Sequence, residues 1–278
     1  MSTPKKIYGS REIEANISEI VQKNYLHFEL KGLTRHTRDI ISSVVNGILE
    51  RIGADPLSSF HLFSGVMEAL LNAVKANIRF TIFKKEVRER LFDIEPSKQE
   101  VDQILAVILE TTALRDAIQR YVVPDKIKRE VQQILTLEEK IRVKKQEITE
   151  KDKLLLFSIR NEIKKDERKI SMKIMISENQ LLLRIRNDSP IMDIDMERIK
   201  QSREKHYQLY LDGRSSEFFR PEFLDEKESA GFGVAMIDEG YYSIGLNPID
   251  LFTYIQSKHA TTVYMSYPID KLQSGAFG

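Results

Sequence analysis

The chain has 278 residues, 41% of them hydrophobic and 31% charged, with 43 basic against 42 acidic side chains. That length holds one large domain or two modest ones, and a formal charge of +1 gives no global field to attract nucleic acid or an anionic membrane. With no cysteine, disulfides, thiolate zinc sites and a cysteine nucleophile are excluded together.

The N-terminal stretch MSTPKKIYGSREIE lacks the apolar run of a secretory signal. Apolar runs such as residues 104–109 and 154–157 are too short to cross a bilayer, so a cytoplasmic protein without membrane contact is expected. Residues 10–23 read as a short helix. Residues 25–30 alternate polar and apolar like a strand and stop at Lys31-Gly32. Over about 34–52, Ile40, Ile41, Val44, Val45, Ile48 and Leu49 recur at helical spacing, closed by Gly53. A capping turn, Asp55-Pro56-Leu57-Ser58-Ser59, leads into a second helix with Leu62, Phe63, Val66, Met67, Leu70, Leu71 and Val74 on its apolar stripe.

Residues 83–169 contain no glycine and only Pro96 and Pro124. One helix is expected around Val101, Ile104, Leu105, Ile108 and Leu109. A long second one starts at Pro124 and continues through Ile148 to Ile163. Their Glu- and Lys-rich surface suits an exposed hairpin arm or two helices packed on the main domain, and both readings stay open. From Lys169 the period changes to two: residues 170–176 and 180–186 form a hairpin joined by Ser177-Glu178-Asn179. Residues 193–229 read as polar and irregular. Gly231-Phe232-Gly233 opens a short helix over 234–239, followed by strands near 241–245, 252–256 and 261–268. The expected class is α+β, a two-layer sandwich with helices on one face of a mixed or antiparallel sheet. Residues 1–82 and 168–278 would form the main domain and 83–167 the helical insertion.

Chemistry concentrates on the second helix. Glu68, Asn72 and Lys75 are spaced by four and three, so their polar groups share a side opposite the apolar stripe. A carboxylate one turn from a carboxamide can hold water or a hydrated Mg²⁺, and a lysine beyond can meet phosphate. The same pattern also fits the solvated face of a core helix. The five histidines are scattered, and neither Gly-x-x-x-x-Gly-Lys-Ser/Thr nor His-Glu-x-x-His occurs.

The stretch Met67-Glu-Ala-Leu-Leu-Asn-Ala-Val-Lys75 resembles the N-box of the histidine-kinase-like (GHKL) ATPases, and residues 25–52 resemble the start of their stand-alone anti-sigma-factor serine kinases. The resemblance implies ATP and Mg²⁺ as cofactors. Glu68 would activate or position water, Asn72 would coordinate Mg²⁺, and Lys75 would lie near the phosphates. Ser229-Ala-Gly-Phe-Gly-Val-Ala-Met-Ile237 is similar to the second glycine box, which places Gly231 and Gly233 at a phosphate-facing helix start. Thr261-Thr262 resembles the Gly-Thr-Thr beside the adenine pocket, with Ala260 in place of the glycine. The strand ending Asn187-Asp188-Ser189-Pro190-Ile191 falls where the family has Asp-x-Gly-x-Gly. Asn187 replaces the aspartate that receives the adenine amino group, and Ser189 and Ile191 replace both glycines; Asp188 serves only if the register slips by one. In the place of the family's ATP lid, Arg203, Arg214, Arg220 and Lys227 are candidate phosphate contacts.

The implied activity is that of an ATP-dependent regulatory protein, a serine kinase or anti-sigma-type switch acting on a protein partner. The alternative is a catalytically degenerate scaffold that binds proteins through its helical insertion. Neutral charge disfavours a nucleic-acid-processing ATPase. A long helical arm is compatible with a homodimer.

Overall fold

The computed structural model describes residues 6–92, 147–165, 167–191, 193–220, 229–257 and 259–275, with scattered positions between 103 and 141. The chain divides into two compact units: residues 1–74, 169–190 and 195–278, and residues 75–168 with 191–194. The division therefore falls earlier along the second helix than the boundary at 82 read from the sequence.

The first unit is built on a five-stranded, wholly antiparallel sheet in the order β1-β2-β3-β5-β4. Its strands are β1 Tyr25–Leu30, β2 Ile170–Ile176, β3 Gln180–Asn187, β4 Phe252–Ser257 and β5 Ala260–Pro268. Register aligns the buried side chains into rows across the sheet. Leu26, Ile174, Leu183, Met265 and Phe252 form one, and Phe28, Met172, Ile185, Val263 and Tyr254 the next. The opposite face carries His27, Lys173, Arg184, Tyr264 and Thr253 in the matching row. One face apolar and one polar is what an antiparallel sheet with a single covering layer requires.

That layer is helical. α1 Ser10–Ala15 and α2 Ile17–Ile20 precede β1. α3 Arg35–Arg51 starts at Thr34, whose hydroxyl accepts from the Thr37 amide at 3.1 Å, and it buries Ile41, Val44, Ile48 and Leu49. α4 runs Pro56–Phe92, capped by Asp55 through the amides of Leu57 (3.0 Å) and Ser58 (3.1 Å). Its segment Pro56–Glu89 is long and apolar enough to cross a membrane. In the first unit, however, its stripe of Leu62, Val66 and Leu70 is wholly buried in the protein core.

α7, Ser229–Tyr242, lies antiparallel to α4. A Cβ on Gly240 would meet His61 Cβ at 3.6 Å, one on Gly65 would meet Ile237 at 3.7 Å, and one on Gly233 would reach Glu68. Both helices face the sheet: the same Cβ on Gly65 would stand 3.2 Å from Met265, and the Tyr241 ring stacks on Tyr267 at 4.5 Å and 7°.

Two sequence-based expectations fail in this unit, and one element was not foreseen. Residues 193–211 are a helix, α6 Asp193–Leu211, rather than irregular, and Ser215–Phe219 adds a 3₁₀ turn. Residues 241–245 are not a strand. α7 continues to Tyr242 and closes on Gly245, whose φ of +70° allows its amide to reach Tyr242 and that of Leu246 to reach Tyr241. A terminal helix, α8 Ile269–Ser274, follows β5 and was not anticipated.

In the second unit, α5 spans Glu150–Lys165 and buries Leu156 and Ile159. Residues 147–149 are not helical. The expected continuous helix through Ile148 is thus broken at Thr149, whose hydroxyl accepts from the Asp152 amide at 3.2 Å and starts α5 afresh. The helix expected around Val101–Leu109 lies outside the described residues, as does the start of the second one at Pro124.

Candidate functional site

α4 brings Glu68 and Asn72 to the side facing α7 and β4. Glu68 touches the backbone of α7 so closely that a Cβ on Gly233 would stand 1.9 Å from its Oε1 and 2.7 Å from its Cδ. Among the described residues, no hydrogen bond or ion pair engages that carboxylate. The glycine is therefore needed for approach, letting a carboxylate lie flat against a helix.

The structure adds a residue that the sequence reading missed. Tyr254 sits on β4 opposite Val263, on the covered face of the sheet, and its hydroxyl is buried without a hydrogen-bond partner among the described residues. The Asn72 amide approaches it without closing a bond of good geometry, and Glu68 acts on it electrostatically. Burial is the main cause that holds the Tyr254 phenol well above its ordinary pKa, opposed by Arg203 and reinforced by Asp238 and Glu68. It remains a neutral donor throughout the physiological range.

The glycine box takes a different form from the expected one. α7 already begins at Ser229, so Gly231 lies in its first turn and Gly233 beyond it. The amides of its first turn that have no partner inside the helix include Ser229, Ala230 and Gly231. Gly231 is among them; Gly233 instead makes room for Glu68. Lys75 is half-buried and is the first residue of the second unit.

The other end of the sheet carries a second polar cluster. Asn187 is buried at the end of β3, in register with Thr261 and not with Thr262, which pairs with Arg186 on the alternate face. The Asn187 amide donates to the Ser189 carbonyl at 3.0 Å, and the Thr261 hydroxyl donates to the same carbonyl at 2.8 Å. Thr261 therefore stands beside Asn187, and Thr262 beside Arg186. Asp188 points elsewhere: its carboxylate accepts from Arg186 Nη1 at 2.9 Å and from the Lys169 amide at 3.1 Å, which clasps the ends of β2 and β3. No register slip places it at the Asn187 position.

Three of the four candidate phosphate contacts from the 193–229 stretch have carboxylate partners in the protein. Arg203 of α6 grips Asp238 of α7 with two bonds, Nε to Oδ2 at 2.8 Å and Nη2 to Oδ1 at 2.9 Å. It also donates to the carbonyls of Phe252 and Pro248. Arg214 and Arg220 flank Glu217 at 2.6 and 3.7 Å. Lys227 lies outside the described residues.

Beside them, the fully buried His206 bonds Glu239 at 3.0 Å, within a shell of Phe218, Phe219 and Tyr242. That bond holds the Glu239 carboxyl below its usual range.

A metal fits here only in part from protein. Glu68 and Asn72 offer hard oxygen atoms suited to Mg²⁺ or its bound water. No group of three His, Cys, Asp or Glu side chains able to hold a metal exists among the described residues. An ion at this site therefore needs further oxygens from a ligand such as a phosphate chain. Comparison with known proteins finds no matching family model, no significantly similar curated protein and no significantly similar solved structure.

Proposed function

We propose that the chain is a cytoplasmic regulatory protein that binds a Mg-nucleotide on a histidine-kinase-like ATPase domain and acts on a protein partner. The observation that carries this reading is the unpaired Glu68 carboxylate laid against Gly233, one helical turn from Asn72 and at the beginning of α7. A carboxylate left without a partner beside a helix start is poorly explained as packing, because a half-buried charge without compensation is costly. It is well explained as a group that faces a ligand.

In this reading the Asn72 oxygen would hold Mg²⁺, and the free amides of Ser229 to Gly231 would receive phosphate oxygens. Bound Mg²⁺ supplies charge neutralisation on the phosphates. Glu68 would accept the proton of the attacking hydroxyl, water or a partner serine. Asn187 and Thr261 are the groups at the base-binding end. An asparagine there reads a base by a neutral hydrogen bond where the family's aspartate uses a charged one.

One observation favours the scaffold alternative. Asn187, Thr261, Asp188 and Arg203 all have protein partners, so the base end and the lid segment are already satisfied internally. Nucleotide turnover separates the two readings. A kinase or ATPase releases ADP from Mg-ATP, and Glu68→Ala lowers that rate by about 10²-fold or more, the usual loss on removing a general base. Binding without turnover places the protein with the scaffolds, and turnover indifferent to Glu68→Ala removes Glu68 from the catalytic role.

A further inference from the structure

We propose that Tyr254 is a third ligand-binding residue of the α4 site, donating its hydroxyl to an anionic phosphoryl oxygen of the bound nucleotide; the inference rests on the Mg-nucleotide reading above. Three observations carry it. The hydroxyl is buried and no described residue hydrogen-bonds it. It lies on the covered face of the sheet, in the row of Val263, Ile185, Met172 and Phe28. The polar groups of α4 that influence it are Glu68 and Asn72, the same two that define the site.

A buried hydroxyl without a partner is unfavourable, and an apolar Phe would fill this row as well as its neighbours do. The extra oxygen therefore has a use outside the core. With both Asp238 and Glu68 acting on it and burial holding it neutral, the hydroxyl does not serve as a metal-bound phenolate. A phenol held neutral keeps an O–H to donate, and the acceptor that suits a donor next to a hydrated cation is a phosphate oxygen. Tyr254 would thus fix one phosphate while Asn72 holds the ion. Tyr254 comes 182 residues after Asn72 in the chain, and fold alone brings the two together.

The test uses the full chain with Tyr254→Phe, which removes only the hydroxyl. Wild-type protein should bind Mg-ATP, and the variant about tenfold more weakly, the usual effect of one hydrogen bond to a charged group. The melting temperature of the ligand-free variant should be equal to or above that of wild type, because nothing in the protein loses a bond. Mg-ATP should also perturb the tyrosine ultraviolet absorbance of wild type and do so less in Tyr254→Phe. Equal affinity overturns the assignment while leaving the Mg-nucleotide reading standing. A lower melting temperature without ligand overturns it too, since the hydroxyl would then be structural. No binding of Mg-ATP by wild type removes both.

Discussion

Replacing Arg203 by alanine tests how the helix layer is held together. Asp238 is 1% exposed and its two oxygens receive Arg203 at 2.8 and 2.9 Å, while the same guanidinium satisfies the carbonyls of Phe252 and Pro248. Removing one partner of such a pair strands a buried charge, which costs about 3–5 kcal/mol. Burial already pushes the Asp238 carboxyl up and Arg203 partly offsets it. Without Arg203 the carboxyl rises further. An acid whose pKa is raised on folding contributes fully below its unfolded value, about 3.9, and loses that contribution as pH rises through the folded value. The deficit of Arg203→Ala should therefore be smaller at about pH 4.5, where the lost carbonyl bonds remain, and reach about 3–5 kcal/mol at about pH 7. Urea unfolding followed by circular dichroism at the two pH values measures it. Adding Asp238→Asn should recover part of the loss at neutral pH. A cost below about 1 kcal/mol at neutral pH, or the same cost at both, would refute the role assigned to the pair.

Gly233→Ala gains about 1 kcal/mol of helix propensity but must displace the Glu68 carboxylate, so wild-type stability should change little. In a Glu68→Ala background the same substitution should stabilise by about 1 kcal/mol, and a double-mutant cycle with no coupling would contradict the contact. His206→Leu removes the main cause of the lowered Glu239 pKa, so the carboxyl midpoint read by carbon NMR should move up towards about 4.3. A lowered acid contributes stability above its unfolded value and loses it as pH falls. The variant should accordingly lose less stability on acidification below about pH 4, and an unmoved midpoint would count against the pair.

The strands were legible because each strand's buried residues alternate on one face: Leu26, Phe28 and Leu30, then Ile170, Met172 and Ile174, then Leu181, Leu183 and Ile185. α6 was hidden because its buried positions include Asp195 and His206 beside Ile199, so no apolar stripe marks it. Residues 241–245 imitate a strand through Tyr241, Tyr242 and Ile244, yet they end a helix. Their aromatic rings are explained by stacking on Tyr267, Tyr210 and Phe252, contacts that no local pattern encodes.

At the site, helical spacing was enough to pair Glu68 with Asn72. Tyr254 looked like any alternating strand residue until β4 paired with β5. The choice of Thr261 over Thr262 beside Asn187 likewise depends on strand register, where one residue reverses the face. The arginines of residues 203–220 could not be assigned from sequence because their partners, Asp238 and Glu217, become visible only once α6, the 3₁₀ turn and α7 are folded.

The most direct measurement is calorimetric titration of Mg-ATP into the full-length protein, with Glu68→Ala and Asn72→Ala as controls. The expected result is saturable heat for wild type that is weakened by Asn72→Ala and depends on magnesium. No saturable heat at millimolar Mg-ATP, or heat unchanged by Asn72→Ala and by removal of magnesium, would contradict a nucleotide site on α4.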